Sequence, residues 1–271
     1  MYTPILTVQD VSAVFPNDNG GLRALDKVSF EIWSQEFVCL VGPSGCGKST
    51  LLRLLGGLIR PTTGQISFEG EPLTEPQHNI GFVFQKANLM PWRSVLANVA
   101  LPLEVQGVAP AAAQARAQEL VELVGLRGFE REWPRHLSGG MEQRVAIARA
   151  LAHNPDVLLL DEPFGALDAL TRERMGTELL RIWEASRKTV VMVTHSIPEA
   201  LLLADRVLVL TQRPGQLRLD LSVPLPRPRS LDTEYLPEFG ALAAEIRKAI
   251  EPSMAQLPEG RSSRMIIDEK P

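Results

Sequence analysis

The stretch FVCLVGPSGCGKSTLLRLLGGL (residues 37–58) decides how this chain is read. FVCLVG is an apolar run with strand character, STLLRLLGGL has helical character, and a glycine-rich turn joins them. Strand, turn and helix in that order are the context a phosphate-binding loop requires. GPSGCGKST (42–50) satisfies the pattern Gly, four residues, Gly-Lys-Ser/Thr. Glycines let successive backbone N–H groups turn inward around phosphate oxygens, and the following helix adds its positive dipole end. Lys48 then supplies a point charge to the β- and γ-phosphates of ATP, and Ser49 a hydroxyl to Mg²⁺. Gly42, Pro43, Ser44, Gly45, Cys46, Gly47, Lys48, Ser49 and Thr50 are the expected nucleotide-contacting residues. Cys46, inside the loop beside Lys48, is expected to react with alkylating reagents unless nucleotide covers it.

Downstream, VLLLDEP (157–163) is a buried-type strand ending in two carboxylates. Asp161 is expected to hold Mg²⁺ beside Ser49, because magnesium takes oxygen ligands and keeps several waters. Strand alternation points Glu162 to the opposite face, where it can polarise the attacking water. Between loop and strand lies LSGGMEQR (137–144). Ser138 is placed to N-cap a helix, and Gly139 and Gly140 permit close backbone approach. This is a second anion-binding helix start in one chain. Two protomers arranged head to tail would need both, each giving its loop to one ATP and this segment to the other.

The surrounding chain alternates strand and helix. Residues 6–15 and 28–41 are β-rich, and short strands are expected near 65–69 and 80–84. Residues 94–152 read as helices interrupted near 107–110 and 125–134, and 168–211 read helix, strand, helix, strand. VPLPRPRSLD (223–232) reads as a linker or extended strap, and 238–250 as a short amphipathic helix. A parallel sheet flanked by helices is the natural architecture. The net charge of −4 lacks the basic excess of a general nucleic-acid binder. Cys39 and Cys46 form no disulfide framework. No apolar stretch approaches the 18 residues of a membrane span, and the start shows no secretory signal, so a membrane role requires docking onto another polypeptide.

On these motifs the chain resembles an ABC-transporter nucleotide-binding subunit over about residues 5–225. The resemblance implies an α/β fold: a P-loop ATPase core with a β-rich N-terminal subdomain and an inserted helical subdomain. Residues 5–230 would form the nucleotide-binding domain, with the helical insertion at about 86–152. Residues 231–271 would form a C-terminal tail with a short helix. It also implies further roles. Gln85 resembles the glutamine that senses Mg²⁺ and water. Ala166-Leu167-Asp168 resembles the loop that crosses the dimer interface. His195 resembles the switch histidine at the γ-phosphate, and Phe15, ahead of NDNGG, the aromatic that stacks on adenine. Catalysis would fall to Glu162, His195, Lys48 and Gln85.

Within the family, LMPWRSVLANVALPLE (89–104), DEPFGALDALTR (161–172), THSIPEALLLADRVLVL (194–210) and PRPR (226–229) resemble the importer group for nitrate, sulfonates and taurine. The expected partners are a membrane permease, a second cassette that is another copy of the chain and, indirectly, a substrate-binding protein. Nucleic acid is not expected. The expected location is peripheral, on the cytoplasmic face of the inner membrane, with the permease docking near 85–98. The rival readings are an exporter subunit and a non-transport ABC ATPase. A DNA-repair ATPase would need a long coiled coil between Gln85 and Leu137, and the interval is too short for one.

Overall fold

The computed structural model describes residues 3–16, 21–165 and 167–251. Ala166, the first four residues of NDNGG and the chain beyond Glu251 lie outside the described residues. The central sheet has the strand order β10-β9-β3-β8-β7-β6. Its members are β3 (Phe37–Val41), β6 (Ile80–Val83), β7 (Val157–Asp161), β8 (Thr189–Val193), β9 (Arg206–Leu210) and β10 (Leu217–Ser222). All pairs are parallel except β9 with β10. Every residue of β3, β7 and β8 is buried. That explains their continuous apolar runs, since a parallel sheet is covered on both faces.

Period-two alternation divides those strands between two cores. Phe37, Cys39 and Val41 join one apolar cluster with Leu158, Leu160, Val190 and Met192. Val38 and Leu40 join the other with Val157, Leu159, Val191 and Val193. The second cluster is closed by α1 (Lys48–Leu55) and by an antiparallel sheet of order β2-β1-β4-β5. Its strands are β1 (Leu6–Phe15), β2 (Leu22–Ile32), β4 (Thr63–Phe68) and β5 (Glu71–Pro72). The β-rich 28–41 stretch therefore divides: a turn at Trp33–Glu36 ends β2 in one sheet before β3 enters the other. β5 and β10 extend the sequence reading.

The first cluster is closed by α2 (Val95–Val105), α3 (Pro110–Leu123), α4 (Gly139–Leu151), α5 (Ala169–Ser186) and α6 (Ile197–Leu203). α7 (Pro237–Ile250) adds Phe239 and Ile246 to the same cluster. The proline-rich strap that leads to α7 is packed in place by two arginines. Arg227 pairs with Asp205 at 2.7 Å and lies 4.3 Å over the Trp183 ring. Arg229 is buried and donates to the carbonyls of Leu201 (2.9 Å), Ala204 (2.5 Å), Val223 (3.0 Å) and Leu225 (3.0 and 3.2 Å). Burial, and then the neighbouring Arg227, push its guanidinium down to about 10, so it remains a cation at neutral pH. Arg229→Met would strip these carbonyls of their donor. An unsatisfied buried polar group costs about 1–3 kcal/mol, so a loss of roughly 3 kcal/mol is expected, or about 6–12 °C in Tm for a domain of this size. A thermal melt within 2 °C of the native protein would show that the strap does not depend on this residue.

Candidate functional site

The carboxyl ends of β3, β7 and β8 lie side by side, because the register aligns Leu40 with Val193 and Asp161 with Val193. In open parallel sheets ligands bind outside these ends, where the strand order reverses. The loop after β3 fits that position. Gly47 N-caps α1 with φ 107°, and an added Cβ would lie 2.8 Å from the Ala24 carbonyl oxygen. Both the left-handed backbone and the contact demand glycine. Lys48 is buried and folds back on its own loop, donating to the carbonyls of Gly42 and Pro43 at 2.9 Å each. Its ammonium is thus held inside the ring of atoms that would surround a phosphate.

Ser49 Oγ donates to Asp161 Oδ1 at 2.8 Å. A hydroxyl and a carboxylate in contact at the foot of the loop are the hard oxygen donors that suit Mg²⁺. Glu162 departs from the alternation expected of it. Its φ of 47° puts a non-glycine residue in the left-handed region, which is uncommon and costs of order 1–3 kcal/mol. Its N–H still bonds the Val193 carbonyl at 3.1 Å, and its carbonyl accepts from Gly165 at 3.1 Å. The turn brings its side chain to the cleft that Lys48 and Ser49 also line, rather than to the opposite face. There its carboxylate accepts from Gln85 Nε2 at 3.2 Å and contacts His195 Nε2.

The cleft, of about 260 Å³, joins the loop (Ser44, Gly45, Gly47–Thr50) to Glu162, His195 and Phe15. Phe15 is 40% exposed and opposes Leu22 across the β1–β2 pair. Leu22, Ala24 and Arg213 complete the wall. Arg213 escaped the sequence reading because it lies in a turn far along the chain, outside any motif. Cys46 corrects an expectation. Its thiol is 1% exposed and sits 3.8 Å from Lys48 Nζ, facing inward. The loop main chain, not this side chain, faces the cleft, so alkylation there is not a test of nucleotide protection.

Ser138, Gly139 and Gly140 stand outside this cleft. Ser138 caps α4, accepting from Met141 N at 3.4 Å. An added Cβ on Gly139 would lie 3.5 Å from Leu167. Asp168 caps α5, accepting from Thr171 N at 3.0 Å, and that hydrogen bond holds its carboxyl below the usual range. The helix start and the Leu167–Asp168 loop thus form a second group beside the first. The remaining histidines lie outside both groups: His78 and His136 are exposed, and His136 meets Glu132 at 2.7 Å. His153 is half-buried, and burial pushes it down.

α4 is also tied to the chain on both sides of Gln85. Gln143 donates to the Phe84 carbonyl at 3.4 Å, and Arg149 to the carbonyls of Ala87 (2.7 Å) and Asn88 (2.9 Å). Buried Asn98 clamps the next stretch, accepting from Met90 N (2.7 Å) and donating to the carbonyls of Met90, Arg93 and Ser94. Held in this way, Leu89 packs on the core while Trp92 remains 69% exposed.

The family model described as ABC transporter matches residues 25–165, which span the phosphate loop, the α4 start and both carboxylates. This chain belongs to the ABC transporter family. The cassette is 51% identical over 212 residues to the taurine import ATP-binding protein of Burkholderia pseudomallei, covering 78% of this chain and 82% of the relative. It is 44% identical over 247 residues to the nitrate import ATP-binding protein of a Synechocystis strain, covering 89% and 93%. It is 42% identical over 234 residues to an aliphatic sulfonates import ATP-binding protein of Bacillus cereus, covering 86% and 92%. Among solved structures, a dimeric ATP-binding cassette in a post-hydrolysis state with ADP and Pi superposes with TM-score 0.71 at 34% identity. That match covers 82% of this chain and 100% of the other. A P-loop ATPase fold follows. No helix among the described residues is long and apolar enough to cross a membrane.

Proposed function

We propose that this cassette is the ATP-hydrolysing subunit of an importer for a small solute of the nitrate, sulfonate or taurine kind, acting through a separate permease. The observation that carries the hydrolytic reading is Glu162, turned out of its strand by a left-handed residue into contact with Gln85 and His195 at the mouth of the phosphate loop. Import and the solute class are supported by the relatives' names. In this reading Phe15 stacks on adenine, the loop main chain and Lys48 hold the phosphates, and Glu162 orients water for in-line attack. Lys48 and His195 stabilise the charge on the transferred group. Ser49, Asp161 and Gln85 would hold Mg²⁺, which neutralises phosphate charge when bound. Ser138, Gly139, Gly140 and Asp168 stand outside this cleft, which supports their serving the ATP of a second copy. Phosphate release from Mg-ATP by the purified chain tests the activity, and a chain that releases none overturns it.

The exposed Trp92, on the loop that Asn98 clamps after Gln85, is the proposed contact for the permease. A bulky apolar side chain held in water by buried hydrogen bonds suits a partner surface. Trp92→Glu is expected to leave nucleotide binding intact and to weaken co-purification with the permease about a hundredfold, because an unpaired charge would be buried at the contact. Full association of the variant would place the contact elsewhere. The peripheral, cytoplasmic location and the indirect link to a substrate-binding protein follow from the same proposal.

A further inference from the structure

Beside the cleft, on the far side of Glu162 and His195, lies a smaller cavity of about 130 Å³. Glu199 lines it together with Glu162, His195 and Arg172. Glu199 is the third residue of α6, and Ser196 N-caps that helix, accepting from Glu199 N at 3.3 Å. In a common capping box the glutamate at this position would reach back to the N–H of the capping serine. Here it does not. The Ser196 N–H donates to Thr194 Oγ1 at 3.0 Å, and the Thr194 hydroxyl donates to Glu199 Oε2. Threonine is inserted into the box as a relay. Its single proton goes to the carboxylate, so its lone pairs face the Ser196 N–H.

The relay encloses His195. The residue before it and the residue after it are both held by one chain of hydrogen bonds that ends on Glu199. His195 itself is exposed and contacts Glu162 through Nε2. An exposed ring has little packing to fix it, so its place depends on the main chain beneath it. Glu199 is also costly to keep. Burial pushes its carboxyl up and Glu162 pushes it further, while Thr194 and Arg172 pull it back. Its Oε1 is buried with no hydrogen-bond partner among the described residues. Arg172, on the same wall, donates to the carbonyls of Phe164 (3.3 Å) and Leu167 (2.9 Å) and so holds the loop that follows Glu162. A half-buried acid with one buried oxygen unsatisfied, beside a second acid, is a poor choice for stability alone.

We propose that Glu199 is a positioning residue for ATP hydrolysis, fixing His195 over Glu162 through the hydroxyl of Thr194. The inference rests on the reading of the cleft as a hydrolytic site. Steady-state ATP hydrolysis by the full chain tests it with Glu199→Met, Glu199→Gln, Thr194→Val and the double variant Thr194→Val/Glu199→Met. Thr194→Val and Glu199→Met are each expected to lower kcat by about 10–100-fold, as misplacement of a catalytic group by about 1 Å does, with KM for ATP within about threefold. Glu199→Gln retains an acceptor for Thr194 and is expected to stay within about threefold of the native kcat. The double variant is expected to match the worse single variant, because both break one relay. Native kcat in Glu199→Met, a Gln variant as slow as the Met variant, or losses that multiply in the double variant would each overturn the assignment. A native chain that hydrolyses no ATP would instead overturn the reading on which it rests.

Discussion

Replacing Glu162 by glutamine is expected to slow ATP turnover by about a hundredfold or more while leaving ATP bound. The side chain keeps its size, so the left-handed backbone at Glu162 and its bonds to Val193 and Gly165 need not change. Ser49 and Asp161 hold each other without it, and Lys48 is held by the carbonyls of Gly42 and Pro43. What is lost is the negative charge that polarises water. An amide oxygen can still accept from Gln85, but it cannot draw a proton from an attacking water. ATP would then persist, and with it any contact ATP makes between two copies. Phosphate release measured beside size-exclusion chromatography in ATP separates the two effects. The expected result is a dimer that accumulates as turnover collapses. Near-normal turnover would remove Glu162 from the role of main base.

The legible parts of this site were those in which chemistry is local in sequence. The phosphate loop announces itself because strand, glycines, lysine and helix are contiguous. The capped start of α4 and the acidic end of β7 are equally compact. What could not be read depended on contacts across the chain. The orientation of Glu162 follows from one residue's φ, which strand alternation mispredicts. Cys46 looks reactive from its neighbours in sequence, yet the loop's curvature turns the thiol inward. Arg229 sits in a stretch that reads as a linker, and only the fold reveals the carbonyls of α6 and β10's exit that it satisfies. β10 has the half-exposed pattern of an edge strand and gains its identity from pairing with β9. Glu199 occupies a position that looks like half of an ordinary capping box, and its partner became clear only with the geometry of Thr194.

Lys48 should be the residue whose loss most weakens nucleotide binding. Its ammonium lies 2.9 Å from two loop carbonyls, so the cation is already inside the cradle before phosphate arrives. Phosphate oxygens would offer it charge-assisted bonds in place of neutral ones, and such bonds are roughly twice as strong. The gain in free energy on binding is therefore concentrated in this one side chain. Lys48→Ala is expected to lower ATP affinity by about a hundredfold, near 3 kcal/mol. The fold should persist, since Gly47 still caps α1 and Leu51, Leu52, Leu54 and Leu55 still anchor the helix in its core. Lys48→Arg should not restore binding. Its planar fork needs more room than a compact ammonium, and the loop closes around a point charge. Titration with a fluorescent ATP analogue, together with a thermal melt to confirm folding, measures both variants. An alanine variant that is folded and binds within threefold of the native chain would mean that the loop's main chain holds the phosphates without the lysine.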